Sequence, residues 1–172
     1  MSEAFHYAIP AAFIALAIIG IAEMILSARW NATYFTTGLP IFVRRVETMA
    51  RVEELSVEAL EQGSKSFAGP SMLFHRLTPH AIAFREKYSH SFFHYTPVMR
   101  GVIRRRESDA AISVIGFMNW WLVAFIILLL WIFKGDLHES IFLGAGLGAI
   151  YLIQFVRYAR VAKRIADSAS QR

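Results

Sequence analysis

Apolar residues fall into three long blocks, and the polar residues are gathered between and after them. The first block, YAIPAAFIALAIIGIAEMILSA from Tyr7 to Ala28, holds one ionisable residue, Glu23, near its far end. At about 1.5 Å of rise per residue it is long enough to cross the ~30 Å hydrocarbon layer of a bilayer. Pro10 falls in its first turn, where a missing N–H costs little. A secretory signal would open with basic residues, whereas MSEAFH carries Glu3 and no Lys or Arg, so the block reads as a retained helix. The second block, FMNWWLVAFIILLLWIF from Phe117 to Phe133, has Trp120 and Trp121 at one end and Trp131 at the other, the placement of aromatic belts. The third, IFLGAGLGAIYLIQFVRY from Ile141 to Tyr158, follows KGDLHES, which has room only for a tight turn. Blocks two and three are expected to form a helical hairpin.

The polar segment between the first and second blocks carries patterns of its own. WNATYFTTGLPIFVRRVE reads as two short strands around a turn at Gly38-Leu39-Pro40. ETMARVEELSVEALEQGSKS is rich in Glu and Leu and lacks Gly and Pro until Gly63, which predicts a helix. HAIAFREK alternates as a strand does. PVMRGVIRR and AAISVIGF flank Glu107-Ser108-Asp109 and predict a hairpin. On its first arm Val98, Arg100, Val102 and Arg104 share one face, and Met99, Gly101, Ile103 and Arg105 the other. The second arm runs almost directly into Trp120, so this sheet is expected against the membrane surface.

The predicted fold class is therefore an integral membrane α-helical protein with three transmembrane helices and an α+β cytosolic domain inserted between helices 1 and 2. The expected divisions are 1–29 for the first span, 30–116 for the domain, 117–133 for the second span, 134–140 for an external turn, 141–158 for the third span and 159–172 for a basic cytosolic tail. Composition agrees: 56% of residues are hydrophobic against the usual 45–50% of soluble domains, although 18% are charged. The basic residues cluster in the central segment and the tail, so the positive-inside rule puts both in the cytoplasm. The chain is then an inner-membrane protein with its N-terminus and the KGDLHES turn outside.

There is no cysteine, which excludes disulfides, thiolate zinc sites, iron–sulfur clusters and a Cys nucleophile. GAGLGA, with Gly144, Gly146 and Gly148, departs from the GxGxxG fingerprint, is preceded by a turn instead of a strand and lies within a span. Gly144 and Gly148 instead stack on one helix face with Ala145 and Ala149 beside them, a surface that admits close approach of another helix. Glu23 and Gln154 are polar residues near the cytoplasmic ends of their spans. Each suits a structural role, Glu23 by pairing towards Arg29 and Gln154 by bonding across a helix interface. His90 and His94 are weak metal candidates: they are four apart, but in the strand-like context of SHSFFHY that spacing is too long to chelate one ion. The turn residues Asp136, His138 and Glu139 form a still weaker set.

Arg104, Arg105 and Arg106 sit on the predicted hairpin tip, and Arg160, Lys163 and Arg164 follow the third span. Both groups are candidates for anionic lipid or an acidic partner. Nucleic acid is not expected, because the basic residues are mixed with Glu. No GxSxG or HExxH pattern marks a catalytic site, and no cofactor is expected. The reading that follows is a non-catalytic accessory or structural subunit of a larger bacterial inner-membrane complex, associating with lipids and with other subunits or itself. A tethered lipid sensor using the basic hairpin and a membrane-surface enzyme with His chemistry are the alternatives.

Overall fold

The computed structural model describes residues 3–48, 51–64, 71–87, 99–105, 111–132 and 137–170. Helix α1 (Glu3–Ala28) leads through a short helix α2 (Ala32–Thr36) into strand β1 (Pro40–Glu47). A 3-10 turn at Val52–Glu54 and helix α3 (Val57–Ser64) precede strands β2 (Met72–Thr78) and β3 (Ala81–Glu86). Strands β4 (Met99–Arg105) and β5 (Ala111–Met118) then lead into helices α4 (Trp120–Ile132) and α5 (Leu137–Ser170). The strands form one antiparallel sheet in the order β1-β5-β4-β3-β2.

The period of two along the strands sorts the sheet into two covered faces. On β3, Ile82 and Phe84 point to the larger core with Met99, Ile103, Ile112 and Val114. The C-terminal half of α5 closes this core with Tyr158, Val161, Ala162 and Ile165. On the opposite face Ala83 packs under Tyr34 and Phe35 of α2, with Val102, Ile115 and Phe117 beside them. Gly101 is demanded by this packing. It lies opposite Phe84 in the register, and a Cβ there would come within 2.2 Å of the Phe84 ring. That ring in turn lies 4.8 Å from the ring of Tyr158, so one small residue seats the stack that joins sheet to helix.

Several expectations are corrected. WNATYF is helical, because the Asn31 side chain accepts a hydrogen bond from the Tyr34 backbone N–H and caps α2. Only one strand, β1, follows. The predicted single helix of ETMARVEELSVEALEQGSKS is a 3-10 turn and a shorter α3, split where the Ser56 hydroxyl accepts from the Ala59 N–H. β5 runs to Met118, so the sheet takes residues that the sequence reading gives to the second span, and the domain extends beyond 116. The Glu107-Ser108-Asp109 turn lies outside the described residues.

Among the described residues one helix segment, Tyr7–Ala28, is long and apolar enough to cross a membrane, not three. Only 6% of its most apolar window is buried in the protein, unlike the core helix of a soluble domain. α4 is as apolar, but its 13 residues span only about 20 Å. The expected third span and tail form one continuous 34-residue helix. Residues 159–170 thus continue the helix beyond the expected span. Their buried face is Val161, Ala162 and Ile165, continuing from Tyr158, whereas Val156 and Lys163 are exposed.

Gly101→Ala should lower stability by about 1–3 kcal/mol, the usual cost of forcing a methyl group into a packed core. Thermal unfolding of the purified protein in detergent, compared with Gly20→Ala in open space on α1, checks this.

Candidate functional site

The helices and the sheet meet at a buried ion pair. Glu23 of α1 is 5% exposed and Arg100 of β4 is 1% exposed, so both side chains have left water. The Glu23 carboxylate accepts hydrogen bonds from the Trp120 and Trp121 backbone N–H groups at 2.7 and 2.8 Å, and from the Tyr34 hydroxyl at 2.9 Å. A side chain from one helix thus caps the N-terminus of another, where orphan N–H groups and the helix dipole favour negative charge. The Arg100 guanidinium lies 3.5 Å from the same carboxylate. It donates to the backbone carbonyls of Tyr34, Met118 and Thr37 at 2.7, 2.7 and 2.9 Å, and to the Asn119 side chain at 3.4 Å. Its planar face rests on the Tyr34 ring, 3.9 Å from the centroid.

Burial pushes the Arg100 guanidinium below its ordinary pKa, and Tyr34 and Glu23 oppose that shift. Arg suits the position because five fixed donors can serve several carbonyls at once. Gly38 makes room for it: its φ is 139°, and a Cβ there would lie 2.9 Å from Arg100 Nη2. Trp30 has φ 51° and turns the chain between α1 and α2. Its ring stacks on Phe35 and His75 and lies 5.0 Å beneath the Arg85 guanidinium, contacts that hold the strained backbone in place.

A second buried pair joins the sheet to α5. Glu86 ends β3 on the α5 side, and its carboxylate pairs with Arg157 and accepts from Gln154 Nε2 at 3.3 Å. Glu86 is 1% exposed, Gln154 fully buried and Arg157 nearly so. One turn further along α5 towards its N-terminus, the Tyr151 hydroxyl donates to the Ile41 carbonyl at 2.9 Å.

The structure places the residues singled out by sequence as follows. Glu23 does not pair towards Arg29 but reaches Arg100. Gln154 bonds to the sheet. Gly144, Ala145, Gly148 and Ala149 are exposed, and among the described residues a Cβ at either glycine would meet nothing within 4 Å, so this face packs on none of the described helices. Arg104 and Arg105 end β4 about 14 and about 17 Å along the strand from Arg100, at the end of the sheet away from α1 and α4. Arg160 and Lys163 are exposed on α5 and Arg164 is half-buried. His90, His94, Arg106 and Asp136 lie outside the described residues, as do the side chains of His138 and Glu139. His80 makes only an exposed pair with Glu53. Among the described residues no group of three or more His, Asp or Glu could hold a metal ion.

Sequence reasoning missed Arg100, Glu86 and Arg157. The signals were present: Arg100 alternates with Val102 on a strand face, Glu86 follows Ile82 and Phe84 at spacing two, and Arg157 follows Gln154 at helical spacing three. A groove of about 490 Å³ between α1 and α4 is lined by Ala8, Ala12, Ala15, Leu16 and Ile19 and by α4 residues including Ala124 and Leu128. Its chemistry suits apolar groups. Comparison with protein-family models, curated proteins and solved structures gave no match.

Losing one partner of a buried pair strands the other charge, at a cost of about 3–5 kcal/mol. Glu23→Ala and Arg100→Met should each destabilise by roughly that amount. The double variant should lose at least ~1 kcal/mol less than the sum, because the two sites are directly coupled. Denaturant titration in a mild detergent reads all three.

Proposed function

We propose that the chain is a membrane-anchored structural subunit of a larger inner-membrane assembly. In this reading α1 crosses the bilayer, and α4 with the N-terminal half of α5 enters it as a hairpin alongside. The sheet and the C-terminal half of α5 stand in the cytoplasm, and the N-terminus is outside, because the basic residues gather on the domain side. The hairpin arms are shorter than the apolar run of α1, a mismatch that a bilayer accommodates by local thinning at modest cost.

The observation that carries this reading is the exposed small-residue face of α5. Gly144 and Gly148 lie one turn apart with Ala145 and Ala149 adjacent, and nothing among the described residues occupies the space in front of the two glycines. In a bilayer such a face lets another backbone come close, which gives van der Waals contact and weak Cα–H bonds that lipid tails do not match. The ion pairs at Arg100 and Arg157 supply the other requirement of an assembly part, a fixed orientation between the helices and the domain. The placement of Arg104 and Arg105 away from α1 and α4 disfavours a lipid sensor built on that hairpin.

Gly148→Leu should fill the face without touching the fold, since its Cβ position is open. The expected outcome is unchanged thermal stability of the isolated chain and loss of its companions when membranes are solubilised in mild detergent and run on a native gel. Migration of the unaltered chain as a lone, functional monomer would refute the assignment.

A further inference from the structure

Exposed apolar surface does not stop where the helices meet the sheet. The hydrogen bonds from Trp120 and Trp121 to Glu23 fix the depth at which α4 begins. Past Glu23, α1 continues to Ala28, about 7 Å further. On that stretch Met24 is 53% and Leu26 36% exposed. β1 starts at the same junction, where Met118 N–H donates to the Leu39 carbonyl, and Leu39 is 54% and Val43 60% exposed. α5 passes the junction at Tyr151, whose hydroxyl bonds to Ile41, and Leu152 and Val156 beyond it are 60% and 40% exposed. Past this band each element then presents an exposed cation: Arg29 after α1, Arg44 and Arg45 on β1, and Arg160 on α5.

Three elements of separate sequence origin therefore run from apolar to cationic in the same direction and over a similar depth. That order belongs to a lipid interface, where acyl chains give way to phosphate within several ångströms. The band is continuous with the lipid-length surface of α1, where Ile14, Ile18 and Ile21 are more than half exposed. Trp30, next to Arg29, adds an aromatic group at the level where such residues anchor.

We propose that this rim of the α+β domain is a lipid-binding surface, seated in the boundary between acyl chains and headgroups. Arg29 and Arg44 bind the phosphates of anionic lipids. Guanidinium groups suit that task because they offer paired donors to phosphate oxygens and stay charged there. The domain is thus partly sunk, to about the 5–10 Å depth typical of interfacial elements. The inference rests on α1 crossing the bilayer, and it locates lipid contact at the start of β1 and the adjoining parts of α1 and α5.

The chain has no cysteine, so single labels can be placed without background. Ile14→Cys, Val43→Cys, Val156→Cys and, at the exposed far end of β1, Glu47→Cys would each be nitroxide-labelled on the full chain. The proteins would be reconstituted alone into vesicles of phosphatidylcholine and phosphatidylglycerol. Relaxation by oxygen and by a water-soluble nickel chelate reports depth. Labels at Val43 and Val156 should be several-fold less accessible to nickel than the label at Glu47, and more accessible than that at Ile14. If Ile14 is shielded but Val43 and Val156 are as exposed as Glu47, the rim faces water or a protein partner and the proposal is overturned. If Ile14 is itself open to nickel, α1 does not cross the bilayer, and both readings fall.

Discussion

The contact between Glu23 and Arg100 holds the helical and the sheet parts of the molecule together. Every group around it has a second obligation. Glu23 caps α4, Arg100 ties the carbonyls of α2, the α2–β1 turn and the end of β5, and Tyr34 both donates to Glu23 and lies under Arg100. Such a pair adds little to stability compared with apolar side chains of the same shape, because taking two charges out of water is costly. What it adds is direction. Carbonyls and amides of four elements can be satisfied together only in one arrangement, so the pair fixes how α1 and α4 leave the domain. It also makes α1 part of the folded unit. Without α1, Arg100 would stay buried without its counter-charge and α4 would lose its cap.

The second pair extends the same logic along α5. Its N-terminal half is level with α4, and Leu147, Ile150 and Tyr151 pack against the main core together with Trp121 and Phe125. Its C-terminal half closes the sheet. Glu86 holds the helix where one role passes to the other, through Gln154 and Arg157. A continuous helix that belongs to both parts transmits displacement as a rigid body, so movement of a neighbour against its exposed glycine face would reach the sheet directly.

The apolar blocks, the β4–β5 pairing and the α+β character of the central segment were legible in sequence because each rests on a local period. The ion pairs were not, because their partners lie far apart in the chain: Glu23 meets a residue of β4, and Glu86 one of α5. α2 was misread because aromatic and β-branched composition favours strands, while the Asn31 cap that decides the matter is a single side-chain bond. The last helix was misread for a related reason. Its basic residues look like a solvated tail, and only Tyr158, Val161, Ala162 and Ile165, read as one stripe, reveal a face wide enough to cover a sheet.

The short α4 also follows from the central contact. Measured from its own ends, α4 is too short to match α1. Measured from Glu23, where both helices share a fixed point, the difference narrows. The apolar run of α1 from Glu23 back to Tyr7 rises about 24 Å, against about 20 Å for α4. The remainder of α1 lies on the other side of that point, beside the sheet. In the proposed arrangement the extra length is accounted for by the sunken rim of the domain. In that proposed arrangement β5 would deliver the chain to α4 already inside the interfacial layer. A buried carboxylate suits that entry point, because water is scarce there and the first N–H groups of α4 need a partner from the protein itself.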